Sequence, residues 1–135
     1  MFLTKECDYG LRIVRTLGGG YKKNAEDICT EEQIPSQYVY KILKKLDRAG
    51  IVQSIRGRDG GYKLAMPLDA FSIFDVVSAI DDSLSLSECM REGKKCPRNS
   101  VEQPCAVHKE LARVQEILIG QLRMKTMLEV VAAGE

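Results

Sequence analysis

No apolar run in this chain approaches the roughly 20 residues needed to span a bilayer. The opening MFLTKECDYG lacks a long apolar segment and a small-residue cleavage site, so it is not expected to be a secretory leader. A cytoplasmic protein is therefore expected. Catalytic signatures are also missing. There is no G-x-S-x-G, no phosphate-binding P-loop and no dinucleotide fingerprint. The single histidine, His108, has no evident orienting partner that would make a neighbouring thiol a nucleophile. An enzyme is not expected. Cys-x2-Cys pairs, the stronger zinc signature, are absent. No repeat or low-complexity tract divides the 135 residues, a length that suits one domain or a small domain with a dimerisation arm. Such a chain buries a core without disulfide staples.

Five cysteines are present, and three of them lie in one irregular stretch, "ECMREGKKCPRNSVEQPCAVH", together with His108. In the cytoplasm thiols stay reduced, so clustered cysteines point to metal or redox chemistry before a structural bridge. The odd count also argues against a complete disulfide framework. Iron–sulfur clusters take thiolates, sometimes with a histidine, and zinc accepts three cysteines and one histidine equally well. Arg91, Lys94, Lys95 and Arg98 place positive charge around these thiols, which favours thiolate. Cys7 and Cys29 fall in helical patterns and are expected to be small, partly buried residues.

Net charge is only +1, but it is unevenly spread. Residues 1–68 carry 12 Lys/Arg against 8 Asp/Glu, and residues 69–135 carry 8 against 11. Between Ser36 and Lys63 seven bases face two acids, which suggests an anionic partner on that side.

Periodicity predicts a helix from Thr4 to about Leu17, stopped by three glycines, and a short helix capped by Asn24. Ser36 is expected to cap the next helix, which Gly50 stops. In that helix Val39, Ile42, Leu43 and Leu46 face inward, while Tyr40, Lys41, Lys44, Lys45 and Arg48 project outward. Two short helices around Ile34-Pro35 make a helix-turn-helix candidate. IVQSIR and YKLAM read as strands joined by GRDGG, which contains Asp59-Gly60, a strong hairpin signal. A hairpin after a recognition-type helix is a wing, and its arginines suit a narrow minor groove. Ser72 is expected to cap a fourth helix whose Phe74, Val77 and Ile80 pack inward. After the cysteine loop, Val107, Leu111, Val114, Leu118 and Leu122 form a seam on a long helix, which favours a symmetric dimer. Thr126 caps a last short helix. The expected class is mainly α with a small β-hairpin wing: a winged helix-turn-helix domain over 1–82, a cysteine-bearing sensor loop over 83–105, and a dimerisation helix with a C-terminal segment over 106–135.

"LTKECDYGLRIV", "ICTEEQIPSQYVYKILKKLDRAGIVQSIRGRDGGYKL" and the later three-cysteine loop resemble the Rrf-two family of bacterial winged helix-turn-helix regulators, which includes IscR-, NsrR- and CymR-like members. Its most specific part is IVQSIRGRDGGY, which resembles the family's wing. The resemblance implies a homodimer on double-stranded operator DNA. It implies that Arg56 enters the minor groove, that the helix from Ser36 lies in the major groove with Tyr38, Tyr40 and Lys41 near bases and phosphates, and that Lys44 and Arg58 contact the backbone. It also implies an iron–sulfur cluster, of the two-iron, two-sulfur type, on Cys89, Cys96, Cys105 and His108. Asp8 is the alternative fourth ligand, as in NsrR-like members. The spacing C-x6-C-x8-C is wider than these members usually have. It leaves open another cluster, another metal or a redox thiol site. A protein–protein adaptor on the same winged scaffold is the competing function.

Overall fold

The computed structural model describes residues 3–82 and 84–134. Six α-helices and one two-stranded hairpin are found among them. Helix α1 (Lys5–Leu17) starts where Thr4 Oγ1 accepts the Cys7 N–H at 3.3 Å. Helix α2 (Ala25–Glu32) starts where Asn24 Oδ1 accepts the Asp27 N–H at 2.8 Å. Both caps satisfy helix-start donors that have no partner within the helix.

Helix α3 (Ser36–Arg48) begins one residue earlier than expected. Pro35, not Ser36, is its cap, and the Pro35 carbonyl receives the N–H groups of Tyr38 and Val39 at 3.0 and 3.2 Å. The ring fixes φ near the value a helix start needs, so Ser36 becomes the first helical residue and its exposed hydroxyl caps nothing. Val39, Ile42, Leu43 and Leu46 are fully buried, as their spacing predicts. Gly50 follows the helix with φ +77°, where only glycine is unstrained.

Strands β1 (Val52–Ile55) and β2 (Gly61–Leu64) pair antiparallel, from Val52 opposite Leu64 to Ile55 opposite Gly61. That register leaves five residues, Arg56–Gly60, to connect them. The loop is as long as the GRDGG stretch expected to connect the strands and lies one residue nearer β1. Gly57 takes the positive φ (110°), and the Gly60 N–H closes back on the Gly57 carbonyl at 3.1 Å. The other edge of the hairpin is also engaged. Lys23 and Tyr62 exchange both backbone hydrogen bonds, at 2.9 and 2.7 Å. Gly61 permits this approach, because a Cβ there would lie 2.8 Å from the Lys23 carbonyl oxygen.

Helix α4 (Ile73–Ile80) carries the expected Ser72 cap, with Asp75 completing a reciprocal capping box. Phe71, Val76, Val77 and Ile80 are buried beside α1 and α3. Phe74 is not. It is half-buried, with the Arg123 guanidinium 4.1 Å from its ring centroid, because the long helix α5 (Ala106–Met124) crosses α4 on that side. Helix α6 (Met127–Ala132) then returns to the first domain. Its Thr126 cap bridges to Ser72, the Met127 N–H bonds the Phe71 carbonyl at 2.8 Å, and Met127 joins the core.

Helix α5 has no buried residue in the single chain. Its expected seam divides. Leu111, Leu118 and Leu122 are half-buried, while Val107 and Val114 stand exposed with Ile117 and Met124. Among the described residues no helix is long and apolar enough to cross a membrane.

Candidate nucleic-acid interface and cysteine loop

The outer face of α3 presents Ser36, Tyr40, Lys41 and Lys44, all exposed, and the wing loop presents Arg56 and Arg58, also exposed. A protruding α3 and a hairpin loop both bearing cations have the shape and charge needed for phosphate contact. Tyr38 differs from its neighbours. It is half-buried, with its ring edge-on to the buried Tyr9 at 5.4 Å between centroids, so it also ties α3 to α1.

Two of the expected outward lysines already have an anionic partner. Glu6, in the first turn of α1, accepts from Lys41 Nζ at 2.8 Å and from Lys45 Nζ at 3.3 Å. Lys45 is half-buried rather than outward, because its ammonium also donates to the Ile80 carbonyl at 2.9 Å, at the end of α4. The hydrogen bond from Lys41 holds the Glu6 carboxyl below its ordinary value of 4.5, despite partial burial. The same bond raises Lys41 above 10.5. Sequence reasoning overlooked Glu6, because an acid in the first turn is already explained by the helix dipole. The wing is fastened as well, by Lys22 Nζ donating to the Asp59 carbonyl.

The chain from the α4 end to α5 holds the cysteines. A single 3-10 turn, Glu88–Met90, places Cys89 against the start of α5. Its Sγ lies 3.6 Å from His108 Nδ1 and 3.1 Å from Ser87 Oγ. Cys105 is the N-cap of α5, and its N–H donates to Asn99 Oδ1 at 2.8 Å. The Asn99 N–H bonds the Cys96 carbonyl at 3.0 Å, so Cys96 and Cys105 are joined through Asn99. All three cysteines are half-buried free thiols. The structure thus brings Cys89 and His108 together across 19 residues. It does not gather Cys96 and Cys105 with them, and among the described residues no three His, Cys, Asp or Glu side chains converge as a metal site. By donor chemistry the set fits an iron–sulfur cluster, since three free thiols and one imidazole share one loop and the adjoining helix turn. Asp8 is engaged elsewhere. It pairs with Arg12 at 2.9 Å and lines a cavity of about 790 Å³ shared with Ile73 and α6. Cys7 is fully buried in the core and Cys29 half-buried, in keeping with their reading as small packing residues.

A family model described as Rrf2, an iron-dependent transcriptional regulator, matches residues 3–133. The chain belongs to the Rrf2 family. It is 35% identical over 100 residues to the transcriptional regulator NsrR of Geobacillus kaustophilus, covering 71% of this chain and 68% of that one. The structure of CymR, the global cysteine regulator of B. subtilis, superposes with a TM-score of 0.73 at 23% identity, covering 98% of both chains. T. potens IscR superposes with a TM-score of 0.76 at 20% identity, covering all of this chain and 89% of the other. The winged helix-turn-helix fold expected from the sequence is therefore the fold observed. As a member of the Rrf2 family the chain is a DNA-binding transcriptional regulator, not an enzyme.

Proposed function

We propose that this Rrf2 regulator is a cytoplasmic homodimer whose operator affinity is set by an iron–sulfur cluster in the 83–105 loop. The observation that carries the sensing half is the Cys89–His108 approach, 3.6 Å between Sγ and Nδ1 in a loop with two further free thiols. Cys89, Cys96, Cys105 and His108 would hold a two-iron, two-sulfur cluster, with Asp8 the weaker candidate for the fourth position. Such a cluster supplies a group whose charge and integrity respond to oxidants, nitric oxide or cluster supply.

The protein's own part is mechanical. Cys96 and Cys105 must move toward the Cys89–His108 pair to complete the ligand set. Cys105 caps α5, and the Leu86 N–H is bonded to Gln115 Oε1 on α5 at 2.9 Å. A rearranged loop therefore reorients α5 against α4. Val107, Val114, Ile117 and Met124 of α5, exposed in one chain, would be covered by a second copy. The angle between paired α5 helices then sets the spacing of the two winged domains, and with it the fit to two half-sites. On each domain Ser36, Tyr38, Tyr40, Lys41 and Lys44 would address the major groove and its phosphates. Arg56 would enter the minor groove and Arg58 would hold the backbone.

The DNA-reading half is tested with a duplex that the protein selects from a random pool. The logarithm of affinity should fall linearly with the logarithm of salt, with a slope near −0.9 per phosphate contact. A protein–protein adaptor would select no duplex.

A further inference from the structure

The Glu6 carboxylate lies against the cationic face of α3. It does not belong to that helix. It projects from the first turn of α1 and takes one oxygen to Lys41 and the other to Lys45. The two lysines are held differently. Lys45 is anchored a second time, on the Ile80 carbonyl, and is half-buried. Lys41 is exposed, and Glu6 is its only ion-pair partner among the described residues. Its ammonium can therefore leave Glu6 by side-chain rotation alone, without disturbing the core residues Val39 and Ile42 beside it.

A carboxylate and a phosphate oxygen make the same kind of charge-assisted hydrogen bond to an ammonium. We propose that Glu6 is an internal competitor of DNA phosphate for Lys41. In the free protein the carboxylate occupies the ammonium. In the complex Lys41 changes partner, and Glu6 is left with Lys45 alone. Affinity is then lower than the count of lysines on α3 would suggest, by the strength of the pair that must open. An exposed ion pair of this kind corresponds to an effect of up to roughly fivefold. Lys45 is a positioning residue in this scheme, because its second bond to Ile80 keeps Glu6 within reach of α3.

This inference rests on the proposed role of α3 in DNA contact, and the test separates the two. Affinity for the selected duplex is measured at fixed salt for the full chain, Glu6→Gln, Lys41→Met and the double variant. The expected result is about two- to fivefold tighter binding for Glu6→Gln, weaker binding for Lys41→Met, and a gain from Glu6→Gln that all but disappears once Lys41 is methionine. A gain of the same size in both backgrounds means only that a negative charge near DNA was removed, and it overturns the competition. No gain overturns it too. Failure of the unaltered chain to select any duplex removes the reading beneath it. A second measurement needs no variant. The Glu6 carboxyl carbon resonance should shift when saturating duplex is added, as Lys41 leaves. An unchanged resonance in a bound complex contradicts the exchange.

Discussion

At Lys41 and Lys45 the charge that helical spacing assigns to the outer face of α3 is shared with Glu6. Spacing reports which way a side chain points, but not what another helix brings to meet it. The same limit explains Phe74, which is placed correctly on a helix but covered by Arg123 from a distant one. The pairing has a pH consequence. Glu6 titrates below 4.5 in the folded state, so its contribution to stability is present above about pH 4.5 and is lost as pH falls through the lowered value. Glu6→Gln should therefore lower stability modestly at neutral pH, by a difference that vanishes as pH falls through the lowered value, so that the acid limb flattens in urea midpoints measured across pH. Arg56 has a plainer role, because it is exposed on the wing loop and its charge is uncommitted to any ion pair among the described residues. Arg56→Ala should cost about 1–3 kcal/mol of operator binding while leaving the melting temperature unchanged. Unaltered affinity would remove the wing from the DNA-reading surface.

The elements were largely legible in the sequence, and the reasons are local. Thr4, Asn24, Ser72 and Thr126 each have an oxygen that can reach an N–H two or three residues on, and each caps the helix expected of it. The run Val39, Ile42, Leu43, Leu46 fixes the buried face of α3 by periodicity alone. One local signal misled. Ser36 looks like a cap, but Pro35 before it takes that position. The wing was closely legible, since GRDGG marks a five-residue connection and pairing Ile55 with Gly61 moves it by only one residue. The bridge from Lys23 to Tyr62 had no local signal, since it joins segments about 40 residues apart. Its mark is Gly61, whose missing Cβ admits the Lys23 carbonyl. Gly61→Ala should break that bridge and destabilise the domain by about 1–3 kcal/mol. It should also weaken DNA binding beyond the loss in folded fraction, because the wing is then held at one edge. On α5, Ile117→Glu introduces a charge into the exposed apolar stripe. It should convert the proposed dimer into a folded monomer in sedimentation, since the stripe contributes nothing to the single-chain core.

For the whole molecule, α4 and α5 flank the loop proposed to hold the cluster and connect it to the winged domain. The proposed ligands were visible as residues, because three cysteines and the only histidine fall within one stretch. Their half-assembled arrangement was not. Cys89 meets His108 because a 3-10 turn and the start of α5 pack together, whereas Cys96 and Cys105 are joined to each other through Asn99 and do not converge with that pair. No rule of spacing predicts that division, and it is the feature that lets loop closure and helix orientation be linked. The link is tested most directly by measuring affinity for the selected duplex on one anaerobic preparation before and after iron and sulfide reconstitution, with visible absorption and iron content recorded alongside, for the unaltered chain and Cys96→Ala. The account predicts a visible chromophore, bound iron and a change in affinity of about 5- to 150-fold, all lost in Cys96→Ala. Absence of chromophore and iron in the unaltered chain, or a cluster that leaves affinity unchanged, would contradict it.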